Sequence, residues 1–429
     1  MPNPVARAAE AIAPGRLGRS FRVLLLTSVI TNTGDGIALA AGPLLVASQT
    51  RDPLLVSLAI LAQNLPVLLF GIAAGVVADR VDRVRLMAAV NLVRALILGV
   101  LAATVVTGSV SIVVVLGALF ALGTAETFAD IGSSSLLPRL VRREDLGIAN
   151  ARRTGAVLLT NQLIAPPVGA FLFAIGMALP FVADAAGFAL GAVLITRVVY
   201  SHAPDPSTVP ERRHWRHEMA DGLRWLFEHP PMRTLALTIV LFNVTFGAAW
   251  SVLVLYAQER LGMNEVGFGL ITSAIALGGI IGTVSYGWLE RRFSLADIMR
   301  VGLLIETGTH LVLALTTVPA VALVTFMVFG THAFVWGTTA TAVRQRAVPD
   351  ALLGRVTGVY HVGVMLGMVI GTPIGGLLAR QYGITAPFWF GFVGSAILVA
   401  VLWRQFAYIV HASEHPDDPA AAAPSPAHT

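Results

Sequence analysis

The chain has 429 residues, of which 56% are hydrophobic and 12% are charged. Soluble domains carry about twice that charged fraction, so these charges are too few to cover the surfaces of a soluble protein of this length. The composition therefore excludes an ordinary soluble enzyme, a disordered chain and a nucleic-acid-binding protein. The net charge of +5 is attributed to the basic loops of a membrane protein.

Two residue types are missing, which narrows the chemistry further. The sequence has no Cys, and all 29 of its basic residues are Arg. These absences exclude disulfides, thiolate metal sites and cysteine nucleophiles. They also exclude lysine Schiff bases and the lysine of a phosphate-binding loop. The sequence also has no phosphate-binding loop, no H-E-x-x-H motif and no paired metal-binding cluster, so we expect no enzymatic activity, no cofactor and no metal site.

Twelve apolar stretches are long enough to cross a bilayer, since a helix needs about 20 residues to do so. The sequence therefore predicts an all-α membrane protein with twelve transmembrane helices. The predicted spans are 22–48, 54–78, 86–107, 110–136, 153–174, 178–199, 234–258, 266–289, 297–317, 319–343, 354–379 and 385–408.

The arginines predict the orientation of these spans. With a cytoplasmic N-terminus, the outer loops contain only Arg51, Arg260 and Arg380, and nearly all other arginines lie on the inner side. The positive-inside rule then places both termini in the cytoplasm. We expect a multi-pass protein of the cell membrane without a cleaved signal peptide, because a long span follows an Arg-bearing lead.

The spans divide the chain into five segments. A cytoplasmic N-terminal segment, 1–21, precedes the first six spans in 22–199. A cytoplasmic linker, 200–233, is predicted to contain an amphipathic helix on the membrane surface. The second six spans occupy 234–408, and the Pro/Ala-rich segment 409–429 is predicted to be a disordered tail.

The loop after span two combines a glycine, an aspartate and three arginines. Together these residues are similar to the signature loop of the major facilitator superfamily, G-x-x-x-D-R-x-x-R-[RK], with Val84 as the one departure. In that family the loop latches the two halves in the outward-open state, and the expected partner helix here is span eleven near Arg355. A generic basic loop is the alternative. The proposed conformational-switch residues are Gly75, Asp79, Arg80, Arg83 and Arg85.

Three pairs of segments at nearly constant spacing indicate an internal repeat. The sequence IAPPVGAFL at 164–172 resembles IGTPIGGLL at 370–378, PRLVRREDLG at 138–147 resembles QRAVPDALLG at 345–354, and Asp79-Arg80 corresponds to Glu290-Arg291. Chance similarity between apolar helices rich in Gly and Pro is the alternative. Two related halves of six spans are typical of transporters that rock about a central site. We therefore expect two pseudo-symmetric six-helix bundles, the major facilitator fold.

Further segments resemble the drug:proton antiporter branch that contains the enterobactin and macrolide exporters. They are TNTGDGIALAAGPLLV in span one, ETFADIGSSSLLPRLV at the end of span four and the Gly/Pro patch of span five. In that patch, Ala165 and Ala170 replace two glycines of the antiporter pattern G-P-x-x-G-G. The resemblance implies alternating access and efflux of a small organic molecule.

Polar residues deep in the spans are candidates for the transport site, because charged groups inside a membrane are costly. Asp35, Glu126 and His332 lie about 18–20 Å from the nearest inner arginine at 1.5 Å per residue. They occupy spans one, four and ten, which line the central cavity in the superfamily. Two poorly hydrated carboxylates favour holding a proton between them. We therefore predict that these residues couple protons to substrate. Structural bonding of the acids to Asn32 or Thr127 is the alternative.

Other polar and aromatic residues have weaker predicted roles. Arg94 and Asp130, each about 13 Å deep on neighbouring spans, are predicted to form a structural ion pair, with a coupling role as the alternative. Asp184, Glu306 and His310 are expected to make structural contacts. Further cavity candidates are Asn32, Asn243, Phe246, Trp250 and Trp336.

The function predicted from these features is proton-coupled efflux of a hydrophobic or amphipathic molecule, such as a drug-like compound or a siderophore. The expected partners are that molecule, protons and the bilayer, with no nucleic acid, and the expected state is a monomer. An importer or lipid carrier of the same fold is one alternative, because fold does not fix direction or cargo. A membrane enzyme or scaffold without transport is another.

Overall fold

A computed structural model describes residues 14–200 and 215–414 of the chain. Within these ranges, ten helices are long and apolar enough to cross a membrane. Two further apolar helices, Leu179–Ile195 and Ala386–Leu402, have 17 residues each. Each predicted span corresponds to one of these twelve helices. The prediction of an all-α membrane protein is therefore confirmed.

Six helices form the first half of the chain, and they contain predicted spans one to six. The fifth consists of Leu146–Val157, a π-helical stretch Leu158–Ile164 and Ala165–Ile175. Short 3-10 turns occupy Gly15–Leu17, Leu137–Arg139 and Arg143–Asp145. The helices are Gly18–Gln49 (α1), Pro53–Arg80 (α2), Arg83–Val106 (α3), Ile112–Leu136 (α4), the three-part helix just described (α5) and Leu179–Ile195 (α6).

Eight helices follow, and predicted spans seven to twelve correspond to α8–α13. They are Trp215–Glu228 (α7), Pro230–Trp250 (α8), Glu265–Arg292 (α9), Leu295–Leu315 (α10), Pro319–Ala347 (α11), Asp350–Tyr382 (α12), Ala386–Leu402 (α13) and Gln405–Glu414 (α14). After α8, the short helix Leu253–Leu255 and the π-helical stretch Tyr256–Arg260 continue the chain.

The helices belong to two compact units. The first contains most of α1–α6 together with 263–273, which include the start of α9. The second contains most of α7–α14 together with 52–58, which include the start of α2. In the first unit, the beginning of α1 packs into an apolar core. Its buried residues Phe21 and Leu24, with Leu17 just before the helix, contact residues such as Met87 and Leu136. The first helix therefore begins at Gly18, inside the predicted N-terminal segment 1–21, because its first turn has a core to pack against. Residues 1–13 lie outside the described ranges.

The second unit contains helices that the prediction placed elsewhere. Phe406, Ile409 and Val410 of α14 are buried in its core, and this apolar face explains why the chain stays helical to Glu414. The predicted disordered tail, 409–429, therefore starts too early, while 415–429 lie outside the described residues. In the predicted linker, 200–233, the helix α7 is present, and Leu226 packs into the same core.

Glycines allow α12 to approach the backbone of α8. A Cβ built at Gly367, Gly371 or Gly375 would overlap the carbonyl oxygen of Val240, Val244 or Ala248, respectively. The three glycines recur every four residues and therefore line one face of α12. Small residues at such a face let membrane helices pack closely, which stabilises them through van der Waals contact.

We expect Gly371→Leu to destabilise the second unit by about 3 kcal/mol or more, because a side chain there forces the two backbones apart. The measurement is thermal unfolding of the purified protein in detergent. Gly358→Leu is the matched control in the same helix, since a Cβ at Gly358 would meet no atom within 4 Å. Equal melting temperatures for the two variants would contradict the assigned contact.

Candidate functional site

A polar cavity of about 220 Å³ lies within the first unit. All six of its helices contribute residues, and apolar side chains such as Leu39, Leu98 and Leu122 complete the wall. The polar and aromatic residues of the wall are Asp35 (α1), Gln63 and Asn64 (α2), Arg94 (α3), Glu126 (α4), Asn161 (α5) and Phe188 (α6). Asp35 and Glu126 were both predicted from their depth in the membrane to belong to the transport site. The structure places them in the wall of one cavity.

Asp35 is held by the one arginine of the cavity wall. The Arg94 guanidinium forms an ion pair with the Asp35 carboxylate. It also lies 4.1 Å from the centre of the Phe188 ring. The Arg94 side chain is only 4% exposed, so the pair is a buried one. The cavity therefore contains one carboxylate whose charge is already matched.

The sequence-predicted partner of Arg94 was Asp130, and the structure shows a different pairing. Asp130 is exposed and, among the described residues, forms no hydrogen bond or ion pair. It stays within electrostatic range of Arg94 and Arg153. The prediction used only the depth of the residues along their helices. Depth does not determine the partner of a long arginine side chain, which here extends to Asp35.

Glu126 is the unpaired acid of the cavity. It is exposed, and no hydrogen bond or ion pair to it occurs within 14–200 or 215–414. The structural alternative had Asn32 or Thr127 as partners of the acids. Both instead donate to backbone carbonyls of their own helices, to Ser28 at 2.8 Å and Gly123 at 2.9 Å. Glu126 is therefore available to bind a proton or a cationic group.

Asp184 was expected to bond to a neighbouring helix and does not. It is 1% exposed, and neither of its carboxylate oxygens has a hydrogen-bond partner among the described residues. A Cβ at Gly34 would lie 3.5 Å from its Oδ1. Asp184 is thus a further acid one helical turn from Phe188. Together with Gln63 and Asn64, it was missing from the sequence-predicted site.

The π-helical stretch of α5 places Asn161 in the cavity wall. Pro166 and Pro167 have no backbone N–H to donate to the preceding turn. One freed carbonyl, that of Leu163, accepts a hydrogen bond from Ser273 Oγ at 2.6 Å. Such π-bulges occur frequently at functional sites. The Pro-Pro pair was the sequence signal that could have predicted this distortion.

The signature loop is organised by Asp82, which the sequence did not single out. Asp82 caps α3 by accepting from the Arg85 backbone N–H at 2.9 Å and accepts from the Tyr200 hydroxyl at 2.8 Å. Slight burial raises the pKa of Asp82, but these hydrogen bonds outweigh it, and the net effect is a lowered pKa. An aspartate directly before a helix start is a recognisable capping signal.

The other switch residues are only partly described. Arg80 and Arg85 are exposed, and the side chain of Asp79 lies outside the described structure. A Cβ at Gly75 would meet no described atom within 4 Å, so no described part of another helix packs directly on this glycine. Arg355, at the start of the expected partner helix, pairs with Asp221 of α7 at 3.2 Å, because α7 packs against the start of α12.

The remaining candidates lie in the second unit. His332 Nε2 is 3.0 Å from the Glu306 carboxylate, so its partner is a residue that was expected to be only structural. Phe246 and Trp250 border a cavity of about 20 Å³. Trp336 is 3% exposed and Asn243 is 9% exposed. Neighbouring helices therefore cover both side chains.

Comparisons with known proteins agree with this architecture. Residues 9–427 match the family model described as transmembrane secretion effector. The multidrug efflux pump Tap of Mycolicibacterium fortuitum is 26% identical over 377 residues, covering 85% of this chain and 90% of Tap. The enterobactin exporter EntS of Shigella boydii serotype 4 (strain Sb227) is 27% identical over 374 residues, covering 84% of this chain and 86% of EntS.

Solved structures show the same fold. A bacterial homologue of the iron transporter ferroportin in an inward-facing state aligns with a TM-score of 0.70 and 20% identity, covering 91% of this chain and 98% of that one. The nucleoside transporter NupG aligns with a TM-score of 0.67 and 13% identity, covering 91% and 99%. The chain is thus a multi-pass membrane transporter rather than an enzyme, and it belongs to the transmembrane secretion effector family of the major facilitator superfamily.

Proposed function

We propose that this transporter exports a hydrophobic or amphipathic small organic molecule in exchange for protons. The observation that carries the proposal is the unpaired Glu126 beside the buried pair of Arg94 and Asp35 in one cavity. A carboxylate without a fixed partner can bind a proton in one state and a cationic group in another. Export is supported by the relatives, a multidrug efflux pump and an enterobactin exporter.

The composition of the cavity wall favours this cargo. Leu39, Leu98, Leu122 and Phe188 supply apolar surface, and Glu126 supplies one unmatched negative charge. Phosphorylated solutes need several basic groups, whereas the single arginine of this wall is already paired. We therefore propose a drug-like or siderophore-like molecule that is neutral or weakly cationic.

In the proposed cycle, Asp35 and Glu126 hold protons while the cavity faces one side and release them when it faces the other. Asp35 is already paired with Arg94, whereas Glu126 has no partner among the described residues, so we propose Glu126 as the first proton acceptor. The loop residues Gly75, Asp79, Arg80, Arg83 and Arg85 are proposed to control the change of state. The protein is proposed to lie in the plasma membrane with both termini in the cytoplasm.

The test is transport in inside-out membrane vesicles with a fluorescent lipophilic cation as the cargo. An inside-acid pH gradient should drive the dye into vesicles that contain the protein, and a proton uncoupler should abolish uptake. Replacing sodium with choline should have no effect. Uncoupler-resistant uptake, sodium dependence, or movement of dye only out of these vesicles would each overturn the proposal, the last in favour of an importer.

A further inference from the structure

The second unit contains a cluster of three titratable side chains that the proposed export cycle does not use. Glu306 of α10 is fully buried and accepts from two imidazoles. His310, one turn along α10, places Nε2 3.0 Å from Oε1, and His332 of α11 places Nε2 3.0 Å from Oε2. We call these three residues the Glu306 triad. Glu306 lies 11 residues from the start of α10, about 17 Å along the helix, so the triad lies at mid-membrane depth.

The geometry determines how protons are distributed in the triad. An ionised carboxylate only accepts hydrogen bonds, so each Nε2 must carry a hydrogen when Glu306 is ionised. With neutral imidazoles, both Nδ1 atoms are then bare acceptors. Both are buried and have no hydrogen-bond partner in the described structure. The triad therefore has net charge −1 and two vacant positions for a proton.

Within 14–200 and 215–414, no neighbouring cation compensates that charge. The only charged or titratable partners of Glu306 in the described residues are the two imidazoles. On α10 itself, Asp297 and Arg300 are 9 and 6 residues away and pair with each other at 3.2 Å.

Charged and titratable residues of the other packed helices lie away from the triad or are bonded elsewhere. The helix α13 presents Gly391 to His310 and has no ionisable residue. Tyr256, after α8, donates to the Leu313 carbonyl oxygen at 2.6 Å. The others are Arg233 of α8, Glu265, Tyr286, Glu290, Arg291 and Arg292 of α9, Arg344 and Arg346 of α11, and Tyr408, His411 and Glu414 of α14. An isolated charge in a membrane is costly, so binding one proton stabilises the triad.

Cavities reach the triad from two sides. His332 borders a cavity of about 300 Å³ that extends to Asp297 and Phe293, at the arginine-rich end of α10. His310 borders the cavity of about 20 Å³ that Trp250 and Leu253 line, toward the other end of α10. Both cavities exceed the about 10–15 Å³ that one water needs, but apolar side chains form most of their walls. Since apolar cavities stay dry on average, a water that brings a proton to either imidazole enters only transiently.

Close packing holds both rings in place. A Cβ at Gly302 would lie 3.1 Å from His332 Nδ1, and a Cβ at Gly391 would lie 2.5 Å from His310 Nδ1. Phe242 and Phe329 make T-shaped contacts with His332, with ring centroids 6.3 and 5.9 Å away. The rings therefore cannot turn away from Glu306 without displacing a neighbouring helix.

We propose that the Glu306 triad is a second proton-binding site, which takes up one proton from water onto an imidazole Nδ1 and becomes neutral. The site goes beyond the proposed export cycle, because its proton binding requires neither cargo nor the carboxylates of the first unit. It gives the second half of the transporter a protonation equilibrium of its own.

The test is NMR of the full chain in liposomes with ¹⁵N-labelled histidine, without substrate or gradient. The chain has 10 His, so His310→Gln and His332→Gln identify the two signals by difference. The spectra are recorded from pH 8 down to pH 5, and on acidification we expect the two rings to take up one proton between them. Both rings remaining neutral over this range in the unsubstituted protein would overturn the proposal.

Variants test whether this protonation step belongs to the triad and is independent of the carboxylates of the first unit. Glu306→Gln should lose the shared step, whereas Glu126→Gln and the exposed control Glu228→Gln should keep it. An unchanged step in Glu306→Gln would also overturn the proposal. Because the signal is recorded without transport, failure of proton-driven export would leave this result standing. If Glu306→Gln does not fold, the titration of the unsubstituted protein decides alone.

Discussion

Glu126→Gln is expected to abolish proton-driven efflux, with a loss of at least about tenfold in initial rate, corresponding to about 1.4 kcal/mol or more. The amide keeps the size and polarity of the side chain but can neither bind a proton nor present a negative charge. Because Glu126 has no hydrogen-bond or ion-pair partner among the described residues, the fold should be retained. The measurement is dye uptake by inside-out vesicles under a pH gradient.

The matched control is Glu228→Gln, the same chemical change at an exposed position of α7. It should transport like the unsubstituted protein. Thermal unfolding in detergent should give the same melting temperature for both variants. Full proton-driven uptake by Glu126→Gln at normal protein levels would remove the role proposed for this carboxylate.

Asp35→Asn is expected to destabilise the first unit by about 3–5 kcal/mol, because it leaves the charge of Arg94 buried and unpaired. Arg94→Met should have an effect of the same sign, since Asp35 then loses its cation. The double variant removes both charges, so it should be more stable than the sum of the two single effects predicts. Thermal unfolding of the four proteins in detergent measures this coupling.

The control is Asp221→Asn, which breaks the ion pair with Arg355 at partly exposed positions. The two side chains are 33% and 26% exposed, so the loss should be about 1 kcal/mol or less. Equal losses for Asp35→Asn and Asp221→Asn would mean that the Arg94 pair is not a buried one. Additive single effects would mean that the two charges do not depend on each other.

The site was only partly predictable from the sequence. Counting residues from loop arginines placed Asp35 and Glu126 at one depth, and both line the same cavity. The same counting paired Arg94 with Asp130, and grouped His332 with the two acids rather than with Glu306. Depth along a helix says nothing about which way a side chain points around the axis, and pairing depends on that direction.

Packing between helices settles that direction. Gly302 and Gly391 leave room for the rings of His332 and His310 beside Glu306. Gly34 likewise leaves room for Phe188, over which the Arg94 guanidinium lies. The sequence alone does not reveal the role of these glycines, because each one makes room for a side chain that belongs to another helix.

The sequence by itself determined the twelve spans, the all-α class and the signature loop of the superfamily. These are local properties, since hydrophobicity over about 20 residues decides whether a segment enters the membrane. Only the tertiary structure decided the partner of each buried charge, the π-helical distortion at Asn161 and the helical start of the predicted tail. In the membrane, the backbone of each helix satisfies its own hydrogen bonds, so the rotation and partners of a helix depend on contacts with its neighbours.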